Sequence, residues 1–197
     1  TMFFSVWVMV TVGIISAKLN MNVASLWNTE FSGETFFVFL GLTLVISATF
    51  IINQIADAKD IQVDKHSSLI GQHISADLSK IIAKILLISG GIISIIANWM
   101  TAIPTACIYF LWGTGYHQSI LLRKKMPSVI WLINSCVGVL LFIIGWMLGM
   151  ENYLQNGIFV LFLDTCSYML PYVLCFSAIS LLTTLQDRKG DDSGASI

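Results

Sequence analysis

Between Asn53 and Lys65 the chain reads NQIADAKDIQVDK, setting polar amides, three carboxylates and two lysines directly behind an apolar run. On an α-helix successive side chains turn by about 100°, so spacings of three and four share a face. Asn53, Asp57, Asp60 and Asp64 are spaced four, three and four and fall within an arc of about 60°. Ile55, Ile61 and Val63 lie mostly off that arc. Such a row of hard oxygen ligands suits Mg²⁺, which is typically held by one or two carboxylates together with water and substrate phosphate. A second acidic stretch, DRKGDDSG at 187–194, carries Asp187 and Asp191 four apart with Gly190 between them. Two carboxylate pairs at one mouth could hold two Mg²⁺ ions around a diphosphate. Arg123, Lys124, Arg188 and Lys189 would then supply compensating positive charge. Departure of a diphosphate leaves an allylic carbocation, and metal ions stabilise the leaving oxygens. The plain alternative is ordinary solvated loop charge, with Lys59 and Lys65 as partial neutralisers; the second acidic stretch weighs against it.

The elements that must position these groups are membrane helices. The 197 residues are 56% hydrophobic and 11% charged, with mean hydropathy +0.84, whereas soluble domains carry about 25% charged residues. The expected fold is therefore all-α, a polytopic transmembrane bundle in a lipid bilayer, with no nucleic acid among its partners. A spanning helix needs about 20 apolar residues. The candidates are 2–17, 35–55, 80–116, 129–149 and 157–185. The third is too long for one crossing and divides at Asn98-Trp99-Met100-Thr101, with Pro104 in the first turn of the fourth helix. Pro127 opens the fifth helix and Pro171 is expected to kink the sixth. Loops after even-numbered helices, with the start of the third helix, hold nine Lys and Arg; loops after odd-numbered helices hold only Lys18. Basic residues collect on the cytoplasmic side, so both acidic stretches are expected to face the cytoplasm, from an inner membrane.

Other chemistry-bearing residues have plainer readings. Cys107, Cys136, Cys166 and Cys175 sit in apolar stretches without C-x-x-C spacing and read as small buried hydrophobes. Asp164 falls inside the sixth span but near its outer end, where a structural role at the interface is favoured over an intramembrane functional acid. His66, His73 and His117 lack metal-pair spacing and read as loop residues. Tyr116 could position a diphosphate through its hydroxyl, although an interfacial Tyr more often anchors a helix.

The order and spacing of the two acidic stretches resemble the UbiA superfamily of intramembrane prenyltransferases. NQIADAKDIQVDKHSSLIGQHIS is similar to that family's N-x-x-x-D-x-x-x-D motif and following loop, LLTTLQDRKGDDSG to its D-x-x-x-D motif, and LINSCVGVLLFIIGW to its fifth helix. The resemblance implies nine helices, of which this chain would hold the first six as one domain over 1–197, truncated at both ends. It implies Mg²⁺-dependent transfer of a prenyl group from a polyprenyl diphosphate to an aromatic or other lipid-precursor acceptor, in quinone or lipid biosynthesis. Carried over, Asp57, Asp187 and Tyr116 would be catalytic. Asn53, Arg123, Lys124, Arg188 and Lys189 would bind substrate, and Asn53, Asp57, Asp60, Asp64, Asp187 and Asp191 would bind metal. The chain departs from the pattern at Ile61, where the family has its second aspartate; Asp60 stands one residue early, and Asp64 occupies a place often held by Asn. The family's basic segment appears only as YHQSILLRKKMP. An NQ opening without a following Arg-Thr looks more like the branches acting on homogentisate or glycerol-phosphate acceptors. Two other functions stay open: a catalytically silent scaffold, which Ile61 permits, and a cation transporter, which would place ionisable groups near the bilayer midplane.

Overall fold

The computed structural model describes residues 2–20, 32–60, 74–115, 127–150, 165–179 and 182. The fold is all-α. The helices are α1 (Met2–Asn20), α2 (Gly33–Asp60), α3 (Ala76–Ala97), α4 (Trp99–Tyr109), α5 (Pro127–Gly149) and α6 (Thr165–Ile179). A wider π-helical turn, Phe110–Gly115, continues α4. Among the described residues, the stretches Gly33–Ala56, Ala76–Ala97 and Ser128–Gly149 are long and apolar enough to cross a membrane. The chain divides into two compact units, Ser25–Ile120 and Thr1–Ala24 with Leu121–Ile197.

Within Ser25–Ile120, α3 is built inside out relative to a helix of a water-soluble protein. Its buried residues are Ser79, Ala83, Gly90 and Ser94, all small, while Ile81, Ile85, Ile88, Ile92 and Ile95 are exposed. Lipid tails are as apolar as isoleucine, so helices in a bilayer associate through close backbone approach at small residues. A Cβ on Gly90 would stand 2.8 Å from the Gly41 carbonyl oxygen and 2.9 Å from Leu44 Cβ. Only glycine permits that approach. The Ser94 hydroxyl at the same contact is satisfied within its own helix, donating to the Gly90 carbonyl at 2.9 Å.

Asn98 separates α3 from α4. Its extended backbone (φ −161°, ψ 106°) ends α3, and its side-chain oxygen accepts from Met100 N at 3.0 Å and Thr101 N at 3.3 Å to cap α4. Its amide nitrogen donates to Glu34 Oε1 at 2.6 Å, joining the end of α3 to the start of α2. The two helices are therefore antiparallel.

Within the other unit, α1 and α5 pack in parallel. Gly145 faces the Val10 carbonyl, and Gly149 faces Ile14 and Ala17, so the paired positions rise together. Alternate crossing requires this of the first and fifth helices. Helix α6 runs antiparallel to α5: Ser135 and Ser177 share a hydrogen bond of 2.8 Å between their hydroxyls. Further along, Phe142 stacks on Tyr172 (centroids 5.9 Å apart) and Trp146 tilts against Tyr168 (5.5 Å).

Several sequence expectations shift. Helix α2 runs five residues beyond the apolar run that marked it, and α3 starts at Ala76 rather than Lys80 because Ser75 caps it, accepting from Leu78 N. Pro104 lies in the second turn of α4, inside the helix. Cys107, Cys136 and Cys175 are exposed and Cys166 is half-buried, none of them paired, so the expectation of buried cysteines fails. The physical reason is that the outer face of a membrane helix is apolar too, so the hydrophobicity of a thiol does not select the interior.

Neighbouring glycines of α3 give a test. Gly91 has nothing within 4 Å of an added Cβ, whereas Gly90 is closed by backbone. Gly90→Ala should lower stability by about 1–3 kcal/mol through overpacking. Gly91→Ala should be neutral or stabilising, since alanine favours helix. Melting temperatures in detergent would decide, and equal effects would contradict the packing described.

Candidate functional site

The acidic stretch behind α2 is continuous with the helix. The candidate span ends at Ala56, yet α2 continues to Asp60. Its 28 residues extend over roughly 42 Å at 1.5 Å each, against a hydrocarbon core of about 30 Å. The extension QIADAKD contains neither Gly nor Pro, and its Ala, Gln and Lys are good helix formers. Ile55 and Ala56 are buried and hold one side of it against the bundle. Positions 53, 57 and 60 therefore stand on one side of a single helix, at and just beyond the end of the span.

Asn53 Oδ1 is buried and has no hydrogen-bond partner. Three hydroxyls earlier in this helix are served. Thr43 donates to the Phe39 carbonyl at 2.7 Å, Ser47 to the Thr43 carbonyl at 2.7 Å, and Thr49 to the Ile46 carbonyl at 2.7 Å. Leaving a buried acceptor unmet costs about 1–3 kcal/mol, so Asn53 stands apart from the three hydroxyls that precede it on the helix. In the sequence Asp57 and Asp60 follow this orphaned amide oxygen by one and two helical turns, and oxygen ligands of these types are what a hard divalent cation such as Mg²⁺ takes.

Of the residues expected to act, the structure brings Asn53, Asp57 and Asp60 onto α2. Asp64, Tyr116, Arg123, Lys124, Asp187, Arg188, Lys189 and Asp191 lie outside the described residues, as do Ile61, Asp164 and the three histidines. Among the described residues no group of three His, Cys, Asp or Glu gathers as a metal site.

One neighbour of this site was not anticipated from the sequence. The π-helical turn after α4 lies against α2: a Cβ on Gly113 would stand at an ordinary contact distance, 3.6 Å, from Thr49 Cγ2. Thr49 precedes Asn53 by four residues, one helical turn. The signal in the sequence is FLWGTG, in which two glycines close an otherwise apolar helix. Between α2, α3 and α4 there is also a cleft of about 150 Å³, lined by Val45, Leu87, Ile95 and Tyr109 together with Ser94 and Thr105. The two hydroxyls donate to the carbonyls of Gly90 and Thr101, so the cleft presents an apolar wall.

The sequence model of the UbiA prenyltransferase family matches residues 7–197; no curated protein and no solved structure matches the chain. The match takes in both acidic stretches and all but the first few residues of the all-α membrane fold. The chain belongs to the UbiA prenyltransferase family.

Proposed function

We propose that this protein is a Mg²⁺-dependent prenyltransferase, moving a prenyl group from a polyprenyl diphosphate to an aromatic or other lipid-precursor acceptor within the membrane. The observation that carries the reading is the helical extension of α2, where positions 53, 57 and 60 share one side and Asn53 Oδ1 is left without a partner. Residues 1–197 act as one transmembrane domain, and the stretch at 187–194 joins the α2 extension at a shared cytoplasmic mouth of an inner membrane.

In this reading Asn53, Asp57, Asp60 and Asp64 offer one set of oxygens, and Asp187 and Asp191 a second. Bound Mg²⁺ would offset the charge of the diphosphate and stabilise its leaving oxygens. Arg123, Lys124, Arg188 and Lys189 hold the same anion by charge-assisted hydrogen bonds, and the Tyr116 hydroxyl positions it. The prenyl C–O bond breaks with its electron pair leaving on diphosphate. A bond then forms from the acceptor to the prenyl carbon, and the acceptor gives up a proton. An electron-poor prenyl carbon reacts readily with water, so the apolar bundle serves by excluding it.

Ile61 removes one acid from the family pattern, but Asp60, the residue before it in sequence and the last of α2, stands on the side of Asn53 and Asp57. That placement favours a retained metal site over a silent scaffold. The described carboxylates, Glu34, Asp57, Asp60 and Asp77, all stand at helix ends. A transport pathway would need such groups near the midplane.

Two measurements test the reading. In the intact membrane protein, EDTA should abolish prenyl transfer, and Asp57→Asn and Asp60→Asn should each lower kcat/KM by roughly 100-fold, the scale of losing one charge-stabilising group. Ile61→Asp should be neutral or helpful. If Asp60→Asn changes nothing while Asp57→Asn abolishes turnover, Asp60 is incidental; if no prenyl diphosphate binds with Mg²⁺, the enzyme reading falls. Separately, cysteines introduced at 62 and 193 should be labelled from the same, cytoplasmic side of the membrane. Labelling from opposite sides would remove the shared mouth.

A further inference from the structure

Lys84 stands inside an apolar helix. It lies within the candidate span Ala76–Ala97, yet it is exposed. The other charges of α3 are at its start, where Lys80 pairs with Asp77 at 2.8 Å and the Asp77 side chain is 87% exposed. That pair marks the water-facing end of the helix. Lys84 sits one turn deeper, roughly 6 Å further along the axis, and among the described residues no carboxylate pairs with it. A lysine this near the end of a span lays its stem along apolar surface and turns its ammonium back toward the headgroups.

The same side of α3 forms a wall of the cleft between α2, α3 and α4. At about 100° per residue, Lys84, Leu87, Gly91 and Ile95 fall within an arc of about 80°, centred roughly 90° from the buried row Ser79, Ala83, Gly90 and Ser94. Leu87, Gly91 and Ile95 therefore follow Lys84 along one side of the helix, roughly 5, 10 and 16 Å beyond it. Ala102, Ala106 and Tyr109 line the cleft from α4. The cleft has room because nothing stands within 4 Å of where a Cβ on Gly91 would be. The Ser94 and Thr105 hydroxyls are committed to carbonyls of their own helices, so the wall offers little to water. An apolar cavity of about 150 Å³ takes apolar groups.

We propose that this cleft and Lys84 together bind an anionic phospholipid of the bilayer. One hydrocarbon chain lies along Leu87, Gly91 and Ile95, and the headgroup phosphate meets the Lys84 ammonium. Charge complementarity selects this occupant. A cation at the head of an apolar cleft matches an amphiphile whose single negative charge sits above its chains. A zwitterionic lipid offers the same chains but carries its own cation, which offsets the attraction. Free phosphate has no chain to fill the cleft.

The test titrates the intact protein in detergent with phosphatidylglycerol or phosphatidylcholine of the same chains, counting bound lipid by native mass spectrometry. Phosphatidylglycerol should bind about fivefold more tightly, the scale of one lysine beside an anionic headgroup. Lys84→Gln should make the two lipids equal, and Lys84→Arg should keep the preference. Gly91→Leu fills the cleft and should weaken both lipids alike, leaving the preference between them. If Gly91→Leu does not fold, Ala106→Leu narrows the same cleft and decides. Equal binding of the two lipids by the unsubstituted protein, or a preference that survives Lys84→Gln, would overturn the proposal. So would unchanged binding of both lipids once the cleft is filled. Displacement of phosphatidylglycerol by glycerol phosphate, which has no chains, would show that the cleft is idle. Displacement by a prenyl diphosphate added without Mg²⁺ would give the cleft to the substrate, and either result sinks the lipid site.

Discussion

Asn98 carries the reversal between α3 and α4, and the arrangement of Ser25–Ile120 depends on how completely it is satisfied. Its N–H donates to the Ser94 carbonyl at 3.0 Å, and its carbonyl accepts from Ala102 N at 3.2 Å and from the Thr101 hydroxyl at 2.9 Å. The side chain caps α4 with its oxygen and holds Glu34 with its nitrogen. Where a bilayer offers no water, a helix end must find its partners inside the protein. One asparagine here serves the C-terminus of α3, the N-terminus of α4 and the start of α2. Replacing it with alanine would strand the N–H groups of Met100 and Thr101 and the Glu34 carboxylate oxygen at once, whereas an ordinary cap costs about 1 kcal/mol.

The fold was legible wherever hydropathy or a cap spelled it out. The split of 80–116 at Asn98 could be read because the apolar run was too long for one crossing and the break offered a side-chain oxygen. Helix ends were less legible, because apolar runs mark the membrane and not the helix: α2 continues through polar residues, and α3 begins ahead of its apolar run at a serine cap. The π turn was barely legible, since only its two glycines set it apart from the apolar α-helix before it. The cysteines misled for a related reason, because a water-derived scale does not distinguish the lipid face from the packed interior. Of the site, Asn53, Asp57 and Asp60 were legible from their spacing, and the helix that carries them makes that spacing meaningful. What spacing could not show was that the Asn53 oxygen is buried and unpaired, which depends on neighbours distant in sequence.

The contact between α2 and α3 connects packing to the site. At Gly41 and Gly90 the two backbones approach too closely for any other residue, and so tight a contact fixes how α2 is rotated about its own axis. Because α2 is one helix from Gly33 to Asp60, that rotation is transmitted to its far end. At about 100° per residue, Thr49 lies roughly 80° around from Gly41 and Asn53 roughly 120°. The side of α2 that carries Asn53, Asp57 and Asp60 is therefore turned away from α3, and Thr49, between the two directions, takes the π turn. Glycines near one end of the helix thus determine which way positions 53, 57 and 60, the proposed ligands, are turned at the other end. A change at Gly41 would be expected to act on the site without touching it, by turning the whole row rather than by removing any ligand from it.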